Sequence, residues 1–75
     1  MRTLGEYVDR VRFSFPEGSR IQLEFMFDEI RPLPAGSRGY VDYVDADGIV
    51  HCEFDCGRNI GLISGTDIFH RVEMR

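Results

Sequence analysis

Residues 39–54, GYVDYVDADGIVHCEF, contain the pattern that decides the fold. Apolar and polar side chains alternate on both sides of the DADG tetrapeptide at 45–48, and a period of two is typical of half-buried strands. The glycine at position 48 favours a tight turn, because glycine adopts a positive φ without strain. The segment therefore predicts an antiparallel hairpin with strands at 39–44 and 49–54, and we expect Asp45 and Asp47 to cap backbone N–H groups in its turn.

The residues before this hairpin predict a strand followed by a long loop. Ile21, Leu23 and Phe25 alternate with polar residues, which indicates a strand at 20–25 whose three apolar side chains enter the core. Residues 27–38, FDEIRPLPAGSR, follow as a loop, because its prolines cannot donate hydrogen bonds to a sheet.

An amphipathic helix is predicted at the start of the chain. Thr3 and Glu6 have the T-x-x-E spacing of a capping box, in which the threonine hydroxyl accepts a hydrogen bond from a free backbone N–H. Apolar residues then recur at helical spacing and form one stripe: Leu4, Tyr7, Val8 and Val11. We expect this helix to end before Pro16.

The residues after the hairpin predict two further strands. A turn at 55–58 leads to a fourth strand at 60–63, and a single helical turn at 65–67 precedes a fifth strand at 69–73. Five short strands with one long loop and several tight turns predict a mainly β domain. We expect a five-stranded SH3-like small barrel preceded by one short N-terminal amphipathic helix.

Four segments carry a family resemblance: PEGSRIQLEFM at 16–26, PLPAGSRGYV at 32–41, VDADGIVHCEFDCGR at 44–58 and IGLISGTDIF at 60–69. In these motifs the chain resembles DUF4314, a family of domains of unknown function. The resemblance implies a small SH3-like barrel from a phage, plasmid or conjugative element, and it implies no catalytic residue. We place an N-terminal helical extension at 1–15 and the barrel domain at 16–75.

Charge and composition narrow the classes of partner. The chain of 75 residues carries thirteen acidic and nine basic side chains, a net charge of −4, which disfavours binding to duplex nucleic acid. All nine basic residues are arginine, which reflects either codon bias or the use of planar guanidinium groups to recognise phosphates or carboxylates. The N-terminal segment lacks the apolar stretch of a secretory signal, and no apolar run is long enough to span a bilayer. We therefore expect no membrane association and a cytoplasmic location, in a bacterium or an infected host cell.

The residues that usually perform catalysis are not arranged for it in this sequence. We expect Cys52 to fill the core and Cys56 to be an exposed turn thiol, with His51 on the strand face opposite Cys52. Two cysteines four positions apart do not form a zinc site by themselves, and no phosphate-binding glycine motif is present. The sequence predicts a protein that is not an enzyme and that uses no metal or cofactor.

Binding is the remaining class of function. We expect a site on the long loop and the neighbouring strand surface, where aromatic and arginine side chains are interleaved as in protein interfaces and nucleotide sites. The candidate binding residues are Phe27, Arg31, Arg38, Tyr40, Tyr43 and Arg58. The alternative is that Tyr40 and Tyr43 only cover the barrel and that the arginines pair with acidic residues.

Two functions are compatible with such a surface. The first is a non-enzymatic module of phage or mobile-element origin that binds a host or phage protein and interferes with a host process. The second is an oligomeric sponge that sequesters a small nucleotide ligand, an immune signal of bacterial antiviral defence. A small core favours association, so a homo-oligomer is an open alternative in either case.

Overall fold

A computed structural model describes residues 3–27 and 30–73 of the chain. The elements are α1 (Leu4–Ser14), β1 (Arg20–Phe25), β2 (Arg38–Val44), β3 (Val50–Phe54), β4 (Asn59–Leu62) and β5 (Ile68–Arg71). The predicted mainly β domain with one N-terminal helix and five strands is confirmed. The predicted domain limits at residues 1 and 75, and positions 28 and 29 of the long loop, lie outside the described residues.

The strands form one antiparallel sheet with the order β4-β3-β2-β1-β5. Among the described residues no ladder joins β4 to β5, so backbone hydrogen bonds do not close the sheet into a barrel. The helical turn predicted at 65–67 is wrong: the N–H groups of Thr66 and Asp67 both donate to the Ile63 carbonyl, at 3.0 and 2.8 Å, but Gly65 has a φ of 93°, so the segment is a tight turn and not a right-handed helical one. Strands β1 to β4 form a four-stranded meander, and β5 returns to pair with β1 at the other side.

Helix α1 begins at the predicted cap and packs on the sheet. Thr3 Oγ1 accepts a hydrogen bond from the Glu6 N–H at 3.1 Å, which confirms the first half of the capping box. Val8 and Val11 are buried in the same core as the strands, whereas Leu4 is 59% exposed. Leu4, a member of the predicted apolar stripe, therefore does not pack on the sheet, because the buried face of the helix begins after its first turn.

A register shift changes the inward side chain at the end of β1. The β1–β5 ladder shifts between Leu23 and Phe25, so the alternation that the sequence predicts is broken there. Phe25 is 51% exposed and Met26 is 8% exposed. Phe25 was predicted to enter the core, and this is wrong: the irregularity turns it outward and gives its place to the next residue.

The core lies between the inner face of the sheet and helix α1. Its buried members come from the helix and from four strands or their ends: Val8, Val11, Ile21, Leu23, Met26, Val41, Val44, Val50, Cys52, Phe54, Ile60 and Leu62. The fourth strand ends at Leu62, one residue earlier than predicted, and Ile63 is exposed. None of the described helices is long and apolar enough to cross a membrane.

Candidate functional site

The solvent-facing side of β1, β2 and β3 displays most of the aromatic and charged side chains that the strands contain. The register pairs Arg20 with Tyr40, and Tyr40 with Glu53, so these three residues form one row across three strands. Tyr43 and His51 form the next row, and Gln22 pairs with Arg38 at the other end. We call this surface the outer face and define it by Arg20, Gln22, Arg38, Tyr40, Tyr43, His51 and Glu53.

Arg20 holds the centre of the outer face in place. Its guanidinium carbon lies 4.6 Å from the centroid of the Tyr40 ring, a cation–π contact. Its two terminal nitrogens donate to the Asp55 carboxylate at 2.7 and 2.6 Å, in a bidentate pair. The hydrogen bonds with Asp55 raise the pKa of Arg20 and lower the pKa of the Asp55 carboxyl, so both groups are charged at neutral pH.

A series of side-chain hydrogen bonds connects polar residues on the part of the outer face that is nearer to β5. The Arg38 Nε donates to Gln22 Oε1 at 2.8 Å, and Gln22 Nε2 donates to Glu24 Oε2 at 3.0 Å. His70 on β5 continues the chain, with its Nδ1 at 4.0 Å from the same Glu24 oxygen. These contacts give the amide of Gln22 a fixed orientation between two charged groups.

Tyr43 and His51 form a stacked pair at the opposite end of the outer face. Their ring centroids are 4.4 Å apart with an interplanar angle of 10°, and His51 Nε2 lies 2.8 Å from Asp45 Oδ2. The hydrogen bond with His51 is the main cause that lowers the pKa of Asp45. Asp45 Oδ1 also accepts from the N–H groups of Asp47 and Ile49, at 2.9 and 3.0 Å, which confirms the predicted capping role for Asp45.

A cavity of about 170 Å³ lies beside this stacked pair, lined by Asp42, Tyr43, His51, Cys52, Asn59, Ile60 and Gly61. Gly61 faces His51 across the β3–β4 ladder, and a Cβ at this position would lie 2.8 Å from Ile49 Cγ2. Cys52 belongs to the core, as predicted, and burial raises the pKa of its thiol to about 12. Because such a thiol stays protonated at neutral pH, Cys52 does not supply a nucleophile to the cavity.

The long loop contacts the β3–β4 hairpin through its arginines. Arg58 NH1 donates to the Arg31 carbonyl at 2.7 Å and so ties the loop to the hairpin turn. A second cavity, of about 240 Å³, lies between loop and hairpin and is lined by Leu33, Pro34, Ser37, Arg38, Phe54, Asp55 and Cys56. Arg38 belongs both to this lining and to the outer face, so the two regions adjoin. Cys56 is exposed, as predicted.

The backbone of Phe27 is held at the start of the long loop, next to the turn before β5. Its N–H donates to Asp67 Oδ1 at 2.7 Å, and the second carboxylate oxygen of Asp67 accepts from the Ile63 N–H at 2.8 Å. Asp67 is buried, and it joins the start of the long loop to the turn before β5. Phe27 itself is exposed beside that turn.

The six predicted site residues therefore fall into three groups. Arg38, Tyr40 and Tyr43 lie together on the outer face, where the β2–β3 register shift between Val41 and Tyr43 keeps both tyrosines on the solvent side. Arg31 and Arg58 lie at the contact between the long loop and the β3–β4 hairpin. Phe27 lies beside the turn before β5. Within the described ranges, no group of three or more His, Cys, Asp and Glu side chains is placed to hold a metal ion.

Sequence reasoning missed the residues that position the site. Arg20 and Asp55 are 35 positions apart, so only the strand register brings them together. The alternation of β1 gave a partial signal, because it places Arg20 on the solvent side opposite Ile21. The buried carboxylate of Asp67 had a local signal as well, since an aspartate after Ser-Gly-Thr often accepts from nearby backbone N–H groups.

The chain was compared with family models, with curated proteins and with solved structures. The family model DUF4314, described as a domain of unknown function, matches residues 5–72. No curated protein and no solved structure matches the chain.

Proposed function

The chain belongs to the DUF4314 family, and because that family has no assigned function, we propose a function from the surface of the protein alone. We propose a non-enzymatic binding module that recognises a partner protein through its outer face. The partner would be a host or phage protein in the cytoplasm of a bacterium or infected cell, and the binding would interfere with a host process. The phage or mobile-element origin is part of this proposal.

The observation that carries the proposal is the fixed geometry of Tyr40. Tyr40 is 43% exposed while Arg20 covers its ring from one side, and Arg20 is in turn held by Asp55. A side chain that is ordered before binding loses less conformational entropy in the complex. Tyrosine and arginine are also the residues most often found at the energetic centre of protein interfaces.

The charge distribution favours a protein partner over a nucleic acid. The guanidinium of Arg20 already donates to a carboxylate, and Glu53 lies directly across from Tyr40 in the register. A surface that carries both positive and negative side chains does not displace counterions from a phosphate backbone. It can, however, complement a protein surface that also carries both charges.

One observation favours the nucleotide ligand as a second candidate. The loop–hairpin cavity of about 240 Å³ has Arg38 in its lining, and Tyr40 lies on the adjoining outer face. A base stacked on Tyr40 with a phosphate at Arg38 would use the two regions together. In that case the protein would be an oligomeric sponge for an immune signal.

Affinity capture with matched variants tests the proposal. Wild-type protein, Tyr40→Ala and Phe13→Ala are immobilised and exposed to bacterial lysate, and the retained proteins are quantified by mass spectrometry. Phe13 is an exposed aromatic residue of helix α1 and controls for the simple loss of apolar surface. We expect a specific protein whose retention falls about tenfold or more with Tyr40→Ala and is unchanged with Phe13→Ala.

Two results would contradict the proposal. Equal retention on all three proteins would exclude the outer face, and retention of no protein would exclude a protein partner from that lysate. Native mass spectrometry of the eluted wild-type protein then distinguishes the second candidate, because a bound nucleotide adds a few hundred daltons to its mass.

A further inference from the structure

Strand β2 brings an aromatic ring and a carboxylate to the cavity beside the Tyr43–His51 pair. The β2–β3 ladder shifts between Val41 and Tyr43, and Asp42 has no partner in the register. Asp42 and Tyr43 are both exposed, so the shift places two consecutive side chains on the solvent side of the strand. Both line the cavity of about 170 Å³, together with Asn59.

The carboxylate of Asp42 is available to a ligand. Within the described part of the chain it forms no hydrogen bond or ion pair. The neighbouring carboxylate of Asp45, by contrast, is already bound to His51 and to two backbone N–H groups. Burial is the main cause that raises the pKa of Cys52 to about 12, and the charge of Asp42 adds to it, which shows how close this charge lies to strand β3.

The ring of Tyr43 also has surface for a ligand. His51 stacks on it with a centroid distance of 4.4 Å, and His51 is itself held by Asp45 at 2.8 Å. Among the described residues neither a second ring nor a cation contacts the Tyr43 ring. Tyr43 is 45% exposed. The ring is therefore supported by the protein and open to a partner.

The outer face already holds one arginine with this combination of groups. The guanidinium carbon of Arg20 lies 4.6 Å from the Tyr40 ring centroid, and its nitrogens donate to both oxygens of Asp55. Tyr43 and Asp42 present the same two groups, a tyrosine ring and a carboxylate, at the cavity. Arginine suits such a pair better than lysine, because its planar group stacks on a ring and donates in parallel to a carboxylate.

We propose that this cavity binds the side chain of an arginine that belongs to the partner protein. The guanidinium lies over the Tyr43 ring and donates to the Asp42 carboxylate, and the Asn59 amide oxygen is a further acceptor in the lining. This inference rests on the proposed function, recognition of a protein through the outer face, and it names the residue that the partner contributes.

Charge complementarity selects a cation as the occupant. Glu53 is exposed and faces Asn59 across the β3–β4 ladder, so a second carboxylate adjoins the cavity. Arg20 and Arg38 on the outer face already donate to other side chains of this chain. The net charge of the chain is −4. An anionic group would be repelled here, whereas a basic segment of a partner is attracted.

Titration with blocked tripeptides tests the proposal. Gly-Arg-Gly, Gly-Lys-Gly and Gly-citrulline-Gly, each acetylated and amidated, are added to separate samples of isotope-labelled protein, and NMR follows the amide signals. Citrulline has nearly the shape of arginine but no charge. We expect the arginine peptide to shift the signals of Asp42, Tyr43, Asn59 and Gly61. It should bind about tenfold more tightly than the citrulline peptide, and also more tightly than the lysine peptide.

Two matched variants test the carboxylate. Asp42→Asn should raise the dissociation constant of the arginine peptide about fivefold. Asp9→Asn makes the same change at an exposed position of helix α1 and should leave this constant unchanged. The amide spectrum shows that each variant is folded, and the comparison of peptides on the wild type needs no variant. Absence of shifts at the cavity, equal binding of the arginine peptide and either other peptide, or unchanged binding to Asp42→Asn would each overturn the proposal.

The peptide titration and the capture experiment fail independently. A captured protein that depends on Tyr40, combined with no binding of the arginine peptide, would support the proposed function and refute the arginine site. Binding of the arginine peptide at the cavity, combined with no captured protein, would confirm the guanidinium site and contradict the protein partner.

Discussion

Arg20 combines a cation–π contact with Tyr40 and a bidentate ion pair with Asp55. Only 17% of its side chain is exposed, because the Tyr40 ring covers one side and the Asp55 carboxylate occupies the terminal nitrogens. The sequence alternation predicts that Arg20 faces solvent, but it contains no signal for a partner 35 positions away. Tyr40 was therefore predicted as an exposed aromatic residue, while the group that orients it was not.

The Arg20–Asp55 pair makes stability depend on pH in acid. The pKa of Asp55 lies below the ordinary 3.8 in the folded protein, so near and below that pH the unfolded chain binds more protons than the folded one. Stability is then complete above about pH 4 and is lost as the pH falls through the folded pKa. We therefore expect the urea concentration at the unfolding midpoint of the wild type to decrease as the pH is lowered from about 5 to about 3.

Asp55→Asn removes the titrating group and should reduce that fall. Its midpoint at neutral pH should be lower than that of the wild type, because the ion pair is lost. Glu17→Gln, at an exposed turn position, is the matched control and should follow the wild type. If Asp55→Asn keeps the full acid dependence, the pair does not stabilise the fold.

The two cysteines should differ sharply in reactivity. Burial of Cys52 raises the pKa of its thiol to about 12, whereas Cys56 is exposed in a turn. Because only the thiolate reacts, iodoacetamide should modify one thiol per native chain and both after denaturation. Cys56→Ser should leave the native chain unmodified. Rapid modification of native Cys52 would show that strand β3 is not packed as described.

At the scale of elements, all five strands follow from the alternation of the sequence, and the ends of each strand agree within a few residues. The irregular positions do not follow from it. The residues around Phe25 do not distinguish a regular strand from one with a shift in its hydrogen-bond register. This shift depends on how β5 pairs with β1, which the local sequence does not determine. The same holds for Tyr43 on β2, where a shift in the β2–β3 ladder keeps both tyrosines on the outer face.

Gly39 permits the close approach of β2 and β3. A Cβ at this position would lie 2.8 Å from the Phe54 Cα, in a contact with backbone that cannot move aside. We expect Gly39→Ala to lower the free energy of unfolding by about 2 kcal/mol. Gly5→Ala is the control, because a Cβ there would come no closer than 3.8 Å to Thr3 Oγ1 and alanine favours the helix by about 0.5 kcal/mol. Chemical denaturation of both variants measures the difference, and a neutral Gly39→Ala would show that the two strands are further apart.

Asp67 joins the long loop to the turn before β5. Removal of its carboxylate in Asp67→Ala leaves the N–H groups of Phe27 and Ile63 without their acceptor, which should cost about 2–4 kcal/mol. Hydrogen exchange should accelerate at Phe27 and Ile63 more than at the centre of the sheet. Asp47→Ala, at an exposed turn position, should stay within about 0.5 kcal/mol of the wild type. Unchanged exchange at both amides would show that the carboxylate does not hold them.

For the molecule as a whole, the sequence predicted the fold class and helix but not the complete site. Arg38 and Tyr40 share a face because they lie two positions apart on one strand, which is local information, whereas Tyr43 joins them only through the shift in the β2–β3 ladder. Phe27 was predicted near them by analogy with SH3-like barrels, yet it follows the last residue of β1, Phe25, at the end of the strand opposite to Arg20. The path of the long loop depends on distant contacts, here the Asp67 carboxylate and the Arg58 side chain.

The outer face presents fixed aromatic and charged side chains to solvent, which suits recognition of a partner.

Site-specific photo-cross-linking tests the proposed role of the outer face most directly. A benzophenone amino acid replaces Tyr40 in one protein and Phe13 in another, and both proteins are irradiated in bacterial cells that express them. We predict that the Tyr40 position yields one discrete adduct with another protein, that Arg38→Glu abolishes this adduct, and that the Phe13 position does not yield it. The same adducts from both positions, or no adduct from position 40, would contradict recognition of a protein through the outer face.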